Sequence, residues 1–178
     1  MRFLFCLLLL FSVVFCEESE DSNAKRLVLF LKNQMQDSYE NGRLTALLPI
    51  NTWHNRYTYS EDRVQRYNER PYGLGISKTI NKKYEFYGIY GIVFADSNYH
   101  TQSMFGYIHL YHLNKGSIKF ALGYTVGLTQ RYEYWYIPLP LPLPAMGINY
   151  KSFSIQAAYV PGGKNDANVL FSWLSWIF

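Results

Sequence analysis

The sequence predicts an all-β protein: an eight-stranded antiparallel transmembrane β-barrel with an N-terminal amphipathic α-helix. Three observations predict it. From Leu47 onward, apolar residues alternate with polar or small ones in segments of about ten, the pattern of strands with one face in lipid. The aromatic fraction is 19%, with 17 tyrosines, and such rings suit the two bilayer interfaces, where one end is dry and the other wet. Both cysteines, Cys6 and Cys16, lie in the first 16 residues. The remaining chain therefore enters an oxidising compartment without a disulfide, and a closed core or lipid must hold it.

The elements follow in order. Arg2, an apolar run from Phe3 to Phe15 and then Glu17-Glu18 read as a secretory signal over 1–16, cleaved after Cys16. The run is too short for a membrane span. A lipoprotein with Cys16 acylated is the rival, and Phe15 fits it poorly. Residues 17–23 form an acidic, polar leader. Leu27, Phe30, Leu31 and Met35 recur at helical spacing opposite Lys32, Asn33, Gln36 and Asp37, which predicts a helix over 24–42, stopped by Asn41-Gly42. It either packs on a core or lies in the membrane interface beside the barrel.

The barrel is assigned to 47–178, with strands near 49–59, 70–80, 83–95, 102–113, 117–129, 133–149 (interrupted), 152–160 and 168–178. An even number with short connections leaves no open edge in lipid. In the fifth segment Ile118, Phe120, Leu122, Tyr124, Val126 and Leu128 make an apolar outer face. Ala121, Gly123, Thr125 and Gly127 face inward, as do Met104, Gly106, Ile108 and Leu110 of the segment before. Small and apolar together describe a dry slot for a hydrocarbon tail, or an interior plugged by its own side chains. The tract from Ile137 to Pro144 carries four prolines and cannot be a continuous central strand. It reads as a stiff loop or as a gap in the sheet through which a lipid chain enters. The terminal Phe178, with Trp176 and Leu174 on its face, resembles the assembly signal of outer-membrane barrels.

The net charge of +4 is spread along the chain, with no basic block of the kind that binds nucleic acid. His109 and His112 sit three apart on one strand and so face opposite sides. With no cysteine or acidic cluster, neither a metal nor another cofactor is expected. The groups a barrel does not need for folding are His54 and the pair Asp96-Ser97. Asp96-Ser97-Asn98 follows an apolar run as turn chemistry, so it is either a plain turn or a strand-end site.

Trp53-His54, Tyr67-Asn68-Glu69-Arg70-Pro71, Phe94 with Asp96-Ser97, Tyr136-Ile137-Pro138-Leu139-Pro140 and Tyr159-Val160-Pro161-Gly162 occur in the order found in the outer-membrane lipid A palmitoyltransferase (PagP) family. The chain resembles that family from the helix to the C-terminus. The resemblance implies an enzyme of the outer membrane that moves a chain from the sn-1 position of a phospholipid donor to a hydroxyacyl chain of a lipid A acceptor. It implies resistance to cationic peptides as the consequence, and a monomer or homodimer as the working form. For acyl transfer a hydroxyl must lose its proton and an oxyanion must be stabilised. The resemblance makes His54, Asp96 and Ser97 the functional residues: His54 the base, Asp96 its orienting partner, Ser97 a nucleophile or a hydrogen-bond donor. His100 is a second candidate for the base. The resemblance also places openings between strands at Pro49 with Pro71, and at Pro144 with Pro161. One departure stands out. Where the family has Gly-Tyr-Gly, with the second glycine at the floor of the acyl slot, this chain has Gly106-Tyr107-Ile108. Ile108 would raise that floor and shorten the donor below palmitate. The rivals are a non-catalytic barrel, which would need a polar interior, and a soluble lipid-binding barrel, which would need polar outer faces.

Overall fold

A computed structural model describes residues 23–178. The signal segment 1–16, with Cys6 and Cys16, and the leader up to residue 22 lie outside the described residues. Helix α1, Asn23–Asn41, ends where Gly42 donates its N–H to the Ser38 carbonyl at 3.0 Å. The strands are β1 (Arg43–His54), β2 (Gly73–Asn81), β3 (Glu85–Ala95), β4 (Thr101–His112), β5 (Ile118–Gln130), β6 (Leu139–Pro140), β7 (Leu143–Tyr150), β8 (Phe153–Val160) and β9 (Val169–Ile177). A single helical turn, α2 (Glu61–Val64), interrupts the long link between β1 and β2. Each strand pairs antiparallel with the next, and β9 returns to β1. β6 and β7 lie in series along β5, broken at Leu141-Pro142. Counted together they make one strand, the sixth of eight in a closed barrel.

Two segments differ from the sequence reading. The first strand starts at Arg43 rather than near residue 49, because the closing seam anchors it there: Arg43 donates to the Phe178 carbonyl, and the Phe178 N–H donates to the Leu44 carbonyl at 3.0 Å. It stops at His54, because Asn55 folds the chain over, accepting the Thr58 and Tyr59 N–H groups on its carbonyl. In the second segment, 133–149, a 3-10 turn (Tyr132–Tyr134) and two left-handed residues, Trp135 and Tyr136, come before any strand.

Parity along the strands separates two environments. Outside, Leu44, Leu48, Leu74, Ile76, Phe105, Ile118, Phe120, Leu122, Ile148 and Ile155 are all exposed, with Leu74 at 72% and Ile76 at 65%. A belt of this extent is far larger than a water-soluble surface carries, and it belongs in hydrocarbon. Among the described residues no helix is long and apolar enough to cross a membrane; the strands do the crossing. Exposed aromatic rings gather at both rims: Tyr72, Tyr99, Tyr132 and Trp135 at the loop end, and Tyr84, Tyr150, Trp176 and Phe178 at the end carrying the helix and the C-terminus.

Helix α1 lies outside the barrel against β2 and β3. Lys78 donates to the Tyr39 carbonyl, Tyr87 donates to Asp37 Oδ2 at 2.5 Å, and Phe30 stacks over His109 with ring centres 6.0 Å apart. Leu27, Val28, Leu29 and Met35 remain exposed, so the apolar stripe is not spent on the barrel and is available to the membrane interface. Tyr107 and His109 face outward by parity yet are fully buried. Their polar atoms pair among themselves, Tyr107 Oη with His109 Nδ1 at 2.8 Å and His109 Nε2 with Glu85 at 3.2 Å.

The interior is not uniform, and here the expected dry slot is corrected. Toward the loop end, below His54 and Thr52, the buried inward residues are apolar: Ile92, Phe94, Met104, Leu143, Ala158 and Phe171. Toward the helix end apolar Phe86, Ile108, Leu110 and Ile177 are mixed with polar Thr45, Ser77, Thr79, Asn149, Ser154 and Ser175. Inward positions such as Gly123 let neighbouring strands approach closely. A Cβ built on Gly123 would fall 1.9 Å from the His109 carbonyl oxygen, and backbone cannot yield without losing the ladder. Gly123→Val should therefore prevent closure, read as loss of the heat-modifiable folded band on gels. A folded band of wild-type stability would contradict this packing.

Candidate active site

His54 is the last residue of β1, and an irregularity in that strand decides where it points. β1 and β9 pair Pro49 with Trp173 and then Asn51 with Ser172, so Ile50 is an extra, unmatched residue. Such a bulge re-aims every side chain beyond it. Below it Thr45, Leu47 and Pro49 face inward; above it Thr52 and His54 do, while Ile50 and Trp53 face out. Were Ile50 paired in a regular ladder instead of bulged, Trp53 would enter the lumen and His54 would meet lipid.

The imidazole is 2% exposed and held on every side. Tyr67 stacks on it with centres 4.6 Å apart, and Tyr59 meets it edge-on at 5.1 Å. Its Nε2 lies 3.0 Å from Ser97 Oγ, and its Nδ1 lies 3.0 Å from Glu69 Oε1. The His54 N–H also donates to Glu69 Oε1 at 3.1 Å. Glu69 is fixed in turn by Arg56, whose guanidinium donates to both carboxylate oxygens at 2.7 and 2.5 Å. That two-pronged bond, with the N–H of His54, pulls the Glu69 carboxyl down to about 2. Glu69 is thus an anion at neutral pH, and it favours the tautomer with the proton on Nδ1, leaving the Nε2 lone pair toward Ser97.

The orienting partner of His54 is therefore Glu69, not Asp96 as the sequence reading has it. Asp96 and Ser97 are neighbours, and only one of the two side chains reaches the ring. Asp96 instead builds the turn that presents Ser97. Its Oδ1 accepts the N–H groups of Asn98 and His100 at 2.8 and 2.9 Å, and its carbonyl accepts Asn68 Nδ2 at 3.3 Å. Asp96 Oδ2 is buried without a hydrogen-bond partner, 3.8 Å from Arg131 Nη2. His100, the second candidate base, stacks on Tyr132 at 4.2 Å and stands apart from the His54 relay. Single ligand atoms of Asp96, His100 and Glu133 lie within 4.8 Å of one another. Arg131, 3.2 Å from Glu133, already supplies the positive charge between them.

The residues missed from sequence are Glu69, Arg56, Tyr59 and Tyr67. Glu69 sits inside a motif noticed for its pattern, and the signal for its role was an arginine two residues after the histidine with a carboxylate facing it across the loop.

The prolines stand where the ladder stops. β1 and β2 pair only up to Leu47 with Gly75, and beyond Pro49 a single backbone-to-backbone bond, from the Thr52 N–H to the Glu69 carbonyl at 3.0 Å, spans toward Pro71. β7 and β8 pair up to Ala145 with Ala158, leaving Pro144 and Pro161 beyond the last rung. Two clefts thus open the wall at the loop end, on either side of β1, β9 and β8.

Inside, two small cavities lie one above the other. The upper is lined by Ile92, Met104, Ala158 and Phe171, the lower by Ser77, Thr79, Phe86, Ile108 and Gln156; Leu47, Tyr90 and Trp173 line both. Ile108 points inward as expected but borders the lower cavity. Gly106 has no side chain in the lumen, and Tyr90 lies across it: a Cβ there would sit 3.1 Å from Tyr90 Oη.

Residues 34–175 match the model of a family described as antimicrobial peptide resistance and lipid A acylation protein PagP. The chain is 42% identical over 135 residues to the lipid A acyltransferase PagP of Yersinia enterocolitica, covering 74% of this chain and 66% of that protein. It is 37% identical over 167 residues to the protein of the same name from Proteus mirabilis, covering 91% and 77%. A third, from Laribacter hongkongensis, is 35% identical over 146 residues, covering 81% and 71%. The chain thus spans about two thirds to three quarters of the length of these curated relatives.

The Arg56 clamp is open to direct titration. A carboxylate whose folded value is depressed contributes stability that is complete above its unfolded value, near 4.5, and lost as pH falls toward about 2. Carboxyl-carbon NMR should find Glu69 titrating near pH 2 and moving upward in Arg56→Ala. A wild-type midpoint at or above 4 would contradict the clamp.

Proposed function

This chain belongs to the PagP family of antimicrobial peptide resistance and lipid A acylation proteins, and we propose that it is an outer-membrane acyltransferase. It moves an acyl chain, palmitate or somewhat shorter, from the sn-1 position of a phospholipid to a hydroxyacyl chain of lipid A. The observation that carries the proposal is the relay Ser97–His54–Glu69, set at the loop-end mouth of an apolar lumen. A base with its rear nitrogen tied to a permanent anion and its front nitrogen on a hydroxyl is equipped to accept a proton as a new ester forms.

In the overall step the acceptor hydroxyl oxygen bonds to the sn-1 carbonyl carbon, and its proton passes to the His54–Ser97 pair. The bond from that carbon to the glycerol oxygen breaks, and the leaving lysophospholipid takes up the proton. Asp96 serves by holding the turn of Ser97. The clefts at Pro49 with Pro71 and at Pro144 with Pro161 are the side entrances for donor chain and acceptor. The added chain on lipid A tightens the outer leaflet and slows entry of cationic peptides.

The apolar outer belt disfavours a soluble lipid-binding barrel. The apolar upper lumen disfavours a passive aqueous channel.

His54→Ala and Ser97→Ala should each lower transfer by about 10²–10⁴ while the folded band on gels is unchanged. Glu69→Gln, which keeps the shape but not the charge, should fall between them and wild type. Near-wild-type transfer in His54→Ala would remove the proposed chemistry.

A further inference from the structure

We infer that the depth of the acyl slot is set by a hydrogen-bonded bar across the lumen, formed by Tyr90 and Thr125, rather than by Ile108. The inference rests on the acyltransferase reading and concerns which donor chain that site accepts.

Tyr90 is on β3 and Thr125 on β5, with β4 between them. Their hydroxyls meet at 2.8 Å inside the barrel, and Thr125 Oγ1 donates onward to the Tyr107 carbonyl of β4 at 3.1 Å. The phenol can span the intervening strand because it crosses at Gly106, the residue opposite Tyr90 in the ladder. Any larger residue at 106 would fill the path.

Polarity changes at the same level. At the upper cavity the hydroxyl-bearing side chains are Tyr90 and Thr125, which satisfy each other. The lower one adds Ser77, Thr79 and Gln156 to a lining that also holds Phe86 and Ile108. Gln156 also accepts the indole N–H of Trp173 at 2.8 Å and the Ser175 hydroxyl at 3.1 Å, while its own Nε2 is buried without a partner. A hydrocarbon tail passing the bar would bury polar groups against methylene, which is unfavourable. Sterics and solvation therefore stop the chain at one place.

The heights translate into chain length. From Asp96 down to Tyr90 is six residues of β3, about 20 Å along the strand and about 15 Å along the axis of a barrel tilted by about 40°. An extended hydrocarbon advances about 1.3 Å per carbon for bonds near 1.5 Å, so about twelve carbons fit above the bar. Ile108 pairs with Gly88, two residues lower, which corresponds to about four further carbons.

The test uses the full protein folded in detergent with lipid A and phosphatidylcholines whose saturated sn-1 chains run from ten to eighteen carbons, the products weighed by mass spectrometry. Tyr90→Leu should move the preferred donor up by about four carbons and raise the ratio of sixteen- to twelve-carbon transfer at least tenfold. Two methylenes alone are worth about fifteenfold. Thr125→Val, which keeps the shape and removes the hydroxyl, should raise the same ratio severalfold. Ile108→Gly alone should leave it within twofold. A shift in Ile108→Gly with none in Tyr90→Leu or Thr125→Val would overturn the bar as the stop.

Absence of transfer from every donor would instead defeat the acyltransferase reading. The bar is then read by binding of saturated fatty acids of the same lengths, followed by Trp173 fluorescence with Trp53, Trp135 and Trp176 replaced by Phe. The tightest-binding length must rise in Tyr90→Leu, and an unchanged length overturns the inference.

Discussion

Everything in this molecule depends on the ladder of backbone hydrogen bonds in a medium that offers no substitute for them. An N–H or carbonyl left open to hydrocarbon costs several kcal/mol, so a sheet that faces lipid must close on itself. Here β9 returns to β1 and the seam is tied at the chain terminus through Phe178. Closure, however, would seal the interior from the lipids around it. Proline resolves that conflict, because it brings no N–H to a rung that is to be left unmade. Pro49 with Pro71, and Pro144 with Pro161, stand at the two places where pairing stops short of the loop end. The wall, and the entrances we propose, thus follow from one rule of hydrogen-bond accounting.

The same ladder aims the chemistry. Side chains on a strand alternate strictly, so one unmatched residue, Ile50, decides whether β1 delivers Trp53 or His54 to the lumen. Once inside, His54 is fixed by contacts from the 55–72 link, with Tyr59 and Tyr67 on the ring and Glu69 behind it. Ser97 reaches the front from a turn that Asp96 ties together. A strand supplies the imidazole, and loops supply what orients it, so a rigid wall carries a preorganised cluster at its rim.

Much of this was legible in the sequence because the barrel obeys period two. The outer face of β5 could be read directly from Phe120, Leu122 and their alternating neighbours. His54 and Ser97 were legible as polar groups with no folding duty. Other features were not, for physical reasons. The bulge at Ile50 is silent, since Leu48, Pro49 and Ile50 form an apolar run in which one extra residue changes no pattern. Glu69 reaches His54 across a fold of the link that only Asn55 and α2 create, whereas the family resemblance points to Asp96 in that role. The polar groups of the lower lumen are not legible, because Ser77, Thr79, Ser154 and Ser175 look like outward residues until the closed sheet fixes their parity. Tyr90 stands in an apolar stretch, and its span to Thr125 requires a neighbour, Gly106, that no local pattern links to either.

The account's central claim is that a chain taken from a membrane phospholipid is passed to lipid A at the mouth of this barrel. The direct measurement is transfer from a phospholipid carrying different isotope labels in its sn-1 and sn-2 chains, with lipid A and the purified protein in one bilayer. The account predicts lipid A heavier by the sn-1 chain alone, with a matching lysophospholipid that keeps the sn-2 label. Unchanged lipid A, or a gain drawn equally from both positions, would contradict it.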